Sequence, residues 1–306
     1  MPQKLLKILL PLAAAAAILA AGAVWIWYPR PAEIFSAGAG QILRVDFLDV
    51  GQGDAALIRV PSGQNILIDG GPDQAAARAL ERLLPFYDRT LDLIILTHPH
   101  DDHVAGLISV LERFHVEKIA YTGVSHSAPA YLDWLEAAKK EGSAMVIIDR
   151  PQTLVLGADC ELRFLYPRRS LAGASVENLN DSSIVVKLVY GRTSFLFMGD
   201  AEAPVESELL SVQEDLRADI LKIGHHGSNT SSQAEFLAAV RPSLAVISAG
   251  ADNKFGHPSP RILNRLLKNQ AKIWRTDQNG SLAARSDSRE ISWPPPPCQN
   301  ELFCYN

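Results

Sequence analysis

The chain has 306 residues, 47% apolar and 21% charged, with a formal charge of −5. This balance suits an ordinary globular protein of one large domain or two small ones. The net acidity excludes a general attraction to nucleic acid and leaves only a local basic patch as a route to it.

In chain order, Lys4 and Lys7 precede the uncharged run Ile8–Tyr28. A run of that length crosses a bilayer as a helix, and the basic head keeps the N-terminus inside. Residues 1–30 are therefore read as a signal peptide or a membrane anchor. The length and the closing Trp25, Trp27 and Tyr28 favour the anchor. Everything after Arg30 would then lie outside the cytoplasm, in the periplasm, anchored to the inner membrane or secreted. Residues 31–41 form a linker and 42–293 the main domain. The Pro-rich tail, 294–306, carries Cys298 and Cys304, which an exported chain would join in a small loop. Cys160, alone in a strand-like run, reads as a small buried hydrophobe.

Within the main domain, strand-like runs cover 42–50, 55–60 and 65–68, with a turn at Pro61-Ser62-Gly63. A helix is predicted over 73–84, a strand over 91–96, a His-rich loop, and a helix over 104–114. A strand at 118–121, a helix at 129–141 and a strand at 145–148 follow. Further strands are predicted at 154–156, 162–165, 184–190, 194–198, 220–223, 244–248 and 272–274, with helices at 202–210, 233–240 and 260–269. This mixture fits an α/β fold, a four-layer α/β/β/α sandwich.

The chemistry concentrates where apolar strands end. Thr97-His98-Pro99-His100-Asp101-Asp102-His103 packs three imidazoles and two carboxylates into seven positions after Leu91–Leu96. Imidazole and carboxylate together hold divalent metal. His98 and His100 suit one ion, and Asp102 and His103 a second. Asp200 ends Phe195–Met198 and has two oxygens with which to bridge, although alone it would read as a helix cap. His225 and His226 follow Ile220–Ile223 between two glycines, which allow close backbone approach.

These segments, with Phe47–Asp54, Leu67–Gly71, Asn180–Ser183 and Gly256-His257-Pro258, resemble the metallo-β-lactamase superfamily. Within it they are similar to the ComEC-like branch, the extracytoplasmic hydrolase domains of bacterial DNA-uptake channel proteins. The resemblance covers residues 42–290 and implies one or two divalent metal ions, zinc or manganese. It implies His98, His100, Asp102, His103 and Asp200 as ligands, together with one of His225 and His226, His225 for preference. Asp102 would also steer water, and His226 would stand near the leaving oxygen. Asp69 would orient the ligand loop, and Asp54, Asn180, Ser182 and His257 would line the substrate pocket or support the ligands. A further metal-binding His common in the superfamily has no counterpart, since neither His115 nor His126 has the expected setting. Asn180–Ser183 occupies the equivalent place.

The expected activity is hydrolysis of a phosphoester or phosphodiester, DNA among the substrates, beside a separate channel partner. Rival expectations are an envelope esterase of carboxylic, thioester or phosphocholine type, and a membrane-tethered protein without catalysis.

Overall fold

Alternation along the strands sorts the side chains into layers. The computed structural model describes residues 42–295. Its first part runs β1 (Leu43–Phe47), β2 (Ala56–Arg59), β3 (Asn65–Ile68), α1 (Ala75–Leu83), β4 (Thr90–Leu91), β5 (Leu93–Ile95), α2 (Asp101–Leu111), β6 (His115–Val116), β7 (Lys118–Tyr121), α3 (Pro129–Glu141) and β8 (Ala144–Ile147). The second part continues with β9 (Gln152–Gly157), β10 (Cys160–Tyr166), β11 (Val185–Tyr190), β12 (Thr193–Phe197), α4 (Ala203–Ser211), β13 (Ile220–Lys222) and α5 (Ala234–Val240). It closes with β14 (Leu244–Ile247), α6 (Pro260–Lys268), β15 (Lys272–Arg275), α7 (Thr276–Asn279), β16 (Leu282–Ser286) and β17 (Ile291–Ser292). The predicted N-terminal span and the Cys298–Cys304 loop lie outside the described residues. Among the described residues no helix is long and apolar enough to cross a membrane.

Two large sheets form among the described residues, in the orders β17-β16-β1-β2-β3-β5-β7-β8 and β15-β14-β13-β12-β11-β10-β9, and β4 pairs with β6 in a separate two-stranded sheet. Leu43, Val45 and Phe47 of β1 point into the space between the sheets, where they meet Leu162 and Phe164 of β10 and Phe195 and Phe197 of β12. Cys160 lies in the same core, buried as a small hydrophobe. The intervening residues face outward onto helices. Leu57, Leu67 and Ile94 pack with Leu80 of α1, Leu107 of α2 and Trp134 of α3. Leu196, Leu221 and Ala245 pack with Leu209 of α4, Phe236 of α5 and Ile262 of α6. Each fully buried large aliphatic or aromatic side chain stabilises the fold by about 1.5–3 kcal/mol. The result is the expected α/β/β/α layering.

Strands β3, β5, β7 and β8 run parallel, as do β12 to β15. Parallel neighbours need crossovers, which the helices supply. The carboxyl ends of both parallel sets therefore face the same edge, the usual place for a ligand in an α/β sheet. Rings of Phe47 and Phe197 stack at 5.7 Å across the sheets. Ile184 N–H donates to the Thr97 carbonyl at 3.0 Å and ties the two ligand-bearing regions together.

Strand β16 was not anticipated. It pairs antiparallel with β1, so the chain's last segment returns to the first sheet. Its sequence, Leu-Ala-Ala-Arg-Ser, lacks the β-branched and aromatic residues that advertise a strand.

Candidate metal-dependent active site

The His-rich segment is shorter as a loop than expected. His100 is the N-cap of α2, and Asp101, Asp102 and His103 form the helix's first turn. The start of a helix favours carboxylates, because its free N–H groups carry partial positive charge. The helix also fixes the two last ligand candidates in space. Its backbone presses on the Asp69–Asp73 loop at Gly106, where a Cβ would meet the Gly70 carbonyl oxygen at 1.9 Å.

Asp69 is fully buried and anchors the segment. Its Oδ1 accepts from Thr97 N–H and its Oδ2 from Thr97 Oγ1, both at 2.8 Å. Oδ2 also lies 2.8 Å from His103 Nδ1. That contact holds a proton on Nδ1, so Nε2, 3.3 Å from Asp200 Oδ1 without hydrogen-bond geometry, is the nitrogen open to a cation once the ring is neutral. His98 Nδ1 rests 3.1 Å from Thr97 Oγ1, and His98 Nε2 lies 3.0 Å from His100 Nδ1. His98 Nε2 also approaches Asp200 Oδ2, at 4.0 Å.

Asp200 follows β12, and its backbone N–H donates to Ser183 Oγ at 3.0 Å. The paired imidazoles follow β13, both with left-handed backbone, φ 48° at His225 and 52° at His226. Such a conformation is uncommon for residues other than glycine and marks a segment held in place by its surroundings. The twist sends the two rings in opposite directions. His226 turns inward, with Nδ1 3.0 Å from the Ser248 carbonyl and Nε2 3.3 Å from Asp102 Oδ2 and 3.5 Å from Asp200 Oδ2. His225 turns toward the surface, with Nδ1 2.8 Å from Glu202 Oε1 and Nε2 3.9 Å from Asp200 Oδ2. The expected order, His225 inside and His226 at the leaving oxygen, is inverted in this geometry.

The other candidates divide. Asp54 lies behind His226, with Oδ1 3.3 Å from His226 Nδ1 and Oδ2 2.6 Å from Lys222 Nζ. Asn180 donates to Glu202 Oε1 at 3.0 Å and borders His225. His257 meets His225 edge to face at 5.4 Å. Ser182 does not join them: it is buried, and its Oγ donates to the Leu179 carbonyl at 2.6 Å within a local turn. The neighbouring Ser183 is the residue that reaches Asp200. His115 pairs with Glu141 at 2.7 Å.

Electrostatics show what the cluster needs. Burial, reinforced by the nearby His103, pushes His98 well below the ordinary imidazole value. Burial also opposes protonation of His103, yet the carboxylates of Asp200 and Asp69 outweigh it and hold that ring well above its ordinary value. For His226 burial is again overcome, by Asp200 and Asp54, and the ring is pushed up to about 10. Asp200 is buried too, but His226 and His103 hold it well below the usual carboxylate range. Protons on two imidazoles thus offset the buried carboxylates.

The donor set fits a cation. The ligand atoms of His98, His103 and Asp200 lie within 4.8 Å of one another, as do those of Asp102, His103 and His226 and those of Asp54, Asp200 and His226. Nε2 of His103, Nε2 of His226 and Oδ1 of Asp200 are buried with no hydrogen-bond partner. An unpaired buried polar atom costs about 1–3 kcal/mol. One or two divalent cations would satisfy these atoms together and replace the protons.

Known proteins resemble this chain in sequence and in fold. Residues 48–251 match the metallo-β-lactamase superfamily, and the chain belongs to it. It is thereby a metal-dependent hydrolase by family and fold. Its relatives are in keeping with the ComEC-like resemblance. It is 31% identical over 262 residues to ComE operon protein 3 of Bacillus subtilis (strain 168), covering 80% of this chain and 33% of that protein. It is 32% identical over 238 residues to Competence protein ComA of Neisseria gonorrhoeae, covering 76% of this chain and 31% of that one. The chain therefore spans about a third of the length of these relatives. Among solved structures, the metallo-beta-lactamase fold protein YhfI from Bacillus subtilis superimposes with a TM-score of 0.52 at 13% identity, over 80% of this chain and 100% of that one.

Several supporting residues escaped the sequence reading. Lys222 had a signal, as a cation inside the apolar run Ile220–Ile223. Glu202, two residues after Asp200, had only its proximity. Ser248 contributes a backbone carbonyl, which no side-chain pattern announces.

Proposed function

We propose that this chain hydrolyses phosphodiester bonds in nucleic acid, outside the cytoplasm and tethered by its N-terminal segment beside a channel partner. The observation that carries the reading is the meeting of unpaired imidazole and carboxylate atoms from the ends of β5, β12 and β13. The names of the relatives, a competence protein among them, support nucleic acid as the substrate.

His98, His100 and Asp200 would hold one cation, and Asp102, His103, Asp200 and His226 the other. Zinc and manganese both suit nitrogen and oxygen donors, and the set of only three protein ligands at the first position brings the harder ion into contention. Bound cations would bring a water toward neutral pKa and stabilise charge on phosphoryl oxygens. The chain's own residues do the rest. Asp69 and the Ser248 carbonyl fix the His103 and His226 rings, so that each presents Nε2 to the centre. Asp102, kept ionised by His226 and His103, would accept a hydrogen bond from a water at the centre and orient it. His225 is half-buried at the mouth, aligned by Glu202 and flanked by His257, and hands a proton from Nε2 to the leaving oxygen.

The test is metal content of the purified chain, with rates on bis(p-nitrophenyl) phosphate, p-nitrophenyl phosphate and p-nitrophenyl acetate. Metal-dependent cleavage of the diester above the other two, lost in a folded Asp200→Ala variant, is the expected result. Preference for the acetate would replace the reading with an esterase.

A further inference from the structure

The loop that follows β14 leaves the same edge as the metal centre, and the hydrolytic reading uses only its last residue, His257. Ser248, whose carbonyl lies 3.0 Å from His226 Nδ1, is the first residue past β14. The chain then runs through Gly250, Asn253, Lys254, Phe255 and Gly256 to His257. Asn253 clamps this loop. Its side-chain NH₂ donates to the Gly250 carbonyl at 2.8 Å and to the His257 carbonyl at 2.6 Å, and its Oδ1 accepts from His257 N–H at 3.0 Å. Gly250 N–H in turn donates to Gln52 Oε1 at 3.1 Å, which fastens the loop to the Phe47–Asp54 segment. Gly256, at φ 71°, supplies the left-handed turn between the ends of the clamp.

The clamp holds outward an aromatic ring that the core does not use. Phe255 is 58% exposed. A single exposed apolar side chain is ordinary on a protein surface. The column of rings beneath it sets this one apart. Phe255 stacks on His257 with centroids 5.9 Å apart and planes inclined by 24°. His257 meets His225 at 5.4 Å, and His225 Nε2 lies 3.9 Å from Asp200 Oδ2. Three aromatic rings thus lead from solvent to the metal centre, on the side where His225 faces the leaving oxygen. Lys254 Nζ lies 5.6 Å from the Phe255 centroid. An exposed contact between a cation and a ring is weaker than the stacking of a base on that ring. A base can therefore displace the ammonium, and the long lysine stem can carry it to a phosphate.

We propose that Phe255 is a stacking platform for an unpaired nucleobase, with Lys254 meeting a phosphate of the same strand. A base inside a duplex has both faces covered by its neighbours, so the platform takes a base that is single-stranded or turned out of its stack. Every base has a π face, so the platform holds a strand without selecting its sequence. It also sets which phosphodiester reaches the cations: the one beside the base on Phe255, with that base on the leaving side. An acidic chain thereby grips a polyanion without a broad basic face. The position of the scissile bond rests on the hydrolytic reading above, whereas the binding of the base does not.

The test is titration of the full chain, with saturating manganese, into a short phosphorothioate strand that carries 2-aminopurine. The sulfur-substituted linkages resist cleavage, and stacking quenches the fluorescence of that base. The parent should quench the probe on binding. Phe255→Ala should bind about tenfold more weakly and lose the quenching, whereas Phe255→Trp should keep both. On an abasic strand of equal length, parent and Phe255→Ala should agree within about twofold, because no base is there to stack. Lys254→Ala should weaken both strands and flatten the log–log salt slope by about 0.7, one phosphate contact. Parent-like affinity and quenching in Phe255→Ala, or equal losses on the two strands, would overturn the inference, whether or not the chain cleaves bis(p-nitrophenyl) phosphate. Quenching that depends on Phe255 in a chain that cleaves no phosphodiester would sink the hydrolytic reading and leave the platform standing.

Discussion

Asp69→Asn is the most informative single change, because it keeps the shape and alters the protons. The carboxylate accepts three contacts at 2.8 Å, from Thr97 N–H, Thr97 Oγ1 and His103 Nδ1. An amide has one acceptor oxygen and an NH₂ group. With the oxygen on Thr97 N–H, the NH₂ faces His103 Nδ1, which must then accept. The ring proton moves to Nε2, the atom that points at Asp200 3.3 Å away. A protonated Nε2 cannot ligate. Loss of such a supporting contact lowers metal affinity about 10–100-fold. Stability of the metal-free chain changes less. A charge-assisted hydrogen bond is worth about 1.5–3 kcal/mol. Burial already pushes Asp69 above the ordinary carboxylate value, so a neutral amide recovers part of that loss. Competition against a chromophoric chelator measures the affinity, and melting in chelator measures the fold. Affinity within about twofold of the parent, well inside the range expected for this contact, would refute the tautomer argument.

Three further outcomes follow from the same structure. Metal binding should release on the order of two protons at pH 7, because His103 and His226 are held above their ordinary values and must deprotonate to ligate. Affinity should therefore rise with pH until His226 loses its proton near 10. Calorimetry in buffers of different ionisation enthalpy counts the protons. Gly106→Ala drives a Cβ into the Gly70 and Asp73 carbonyls at 1.9 and 2.4 Å, so α2 must shift. We expect a cost of about 1–3 kcal/mol in urea unfolding, with weakened metal binding because Asp102 and His103 ride on that helix. Glu206 is pushed up to about 7, chiefly by burial, although Ser232 and Gln233 N–H groups donate to it. Its raised value means that it disfavours the fold when ionised. The penalty is absent below 4.5, grows through the window to 7 and is complete above it, at most about 3 kcal/mol. Glu206→Gln should flatten the difference in urea stability between pH 5 and pH 7.5 relative to the parent.

Sequence carries the ligands better than their arrangement. The His98–His103 cluster, Asp200 and the pair at 225–226 stand out because each follows an apolar run, and the structure brings all three strand ends to one edge. Strand alternation likewise announces the two-sided packing of β1, β10 and β12. The roles of His225 and His226 were not legible, since two adjacent imidazoles look alike until left-handed backbone turns one inward. Ser182 and Ser183 pose the same difficulty, and a turn at Leu179 decides which of them meets Asp200. Strand β16 was hidden because alanine and arginine fit helix and strand equally in pattern, and only its pairing with β1 fixes it. The opposed arginines at 44 and 285 depend on that pairing and were hidden with it.

The most direct measurement is an anomalous-scattering map of crystals of the chain grown with manganese or zinc. The account predicts density for cations bonded to Asp200 and to Nε2 of His103 and His226, with His225 remaining on Glu202. Ions bonded through His225 while His226 stays on Asp102, or no ion between these groups at saturating metal, would contradict it.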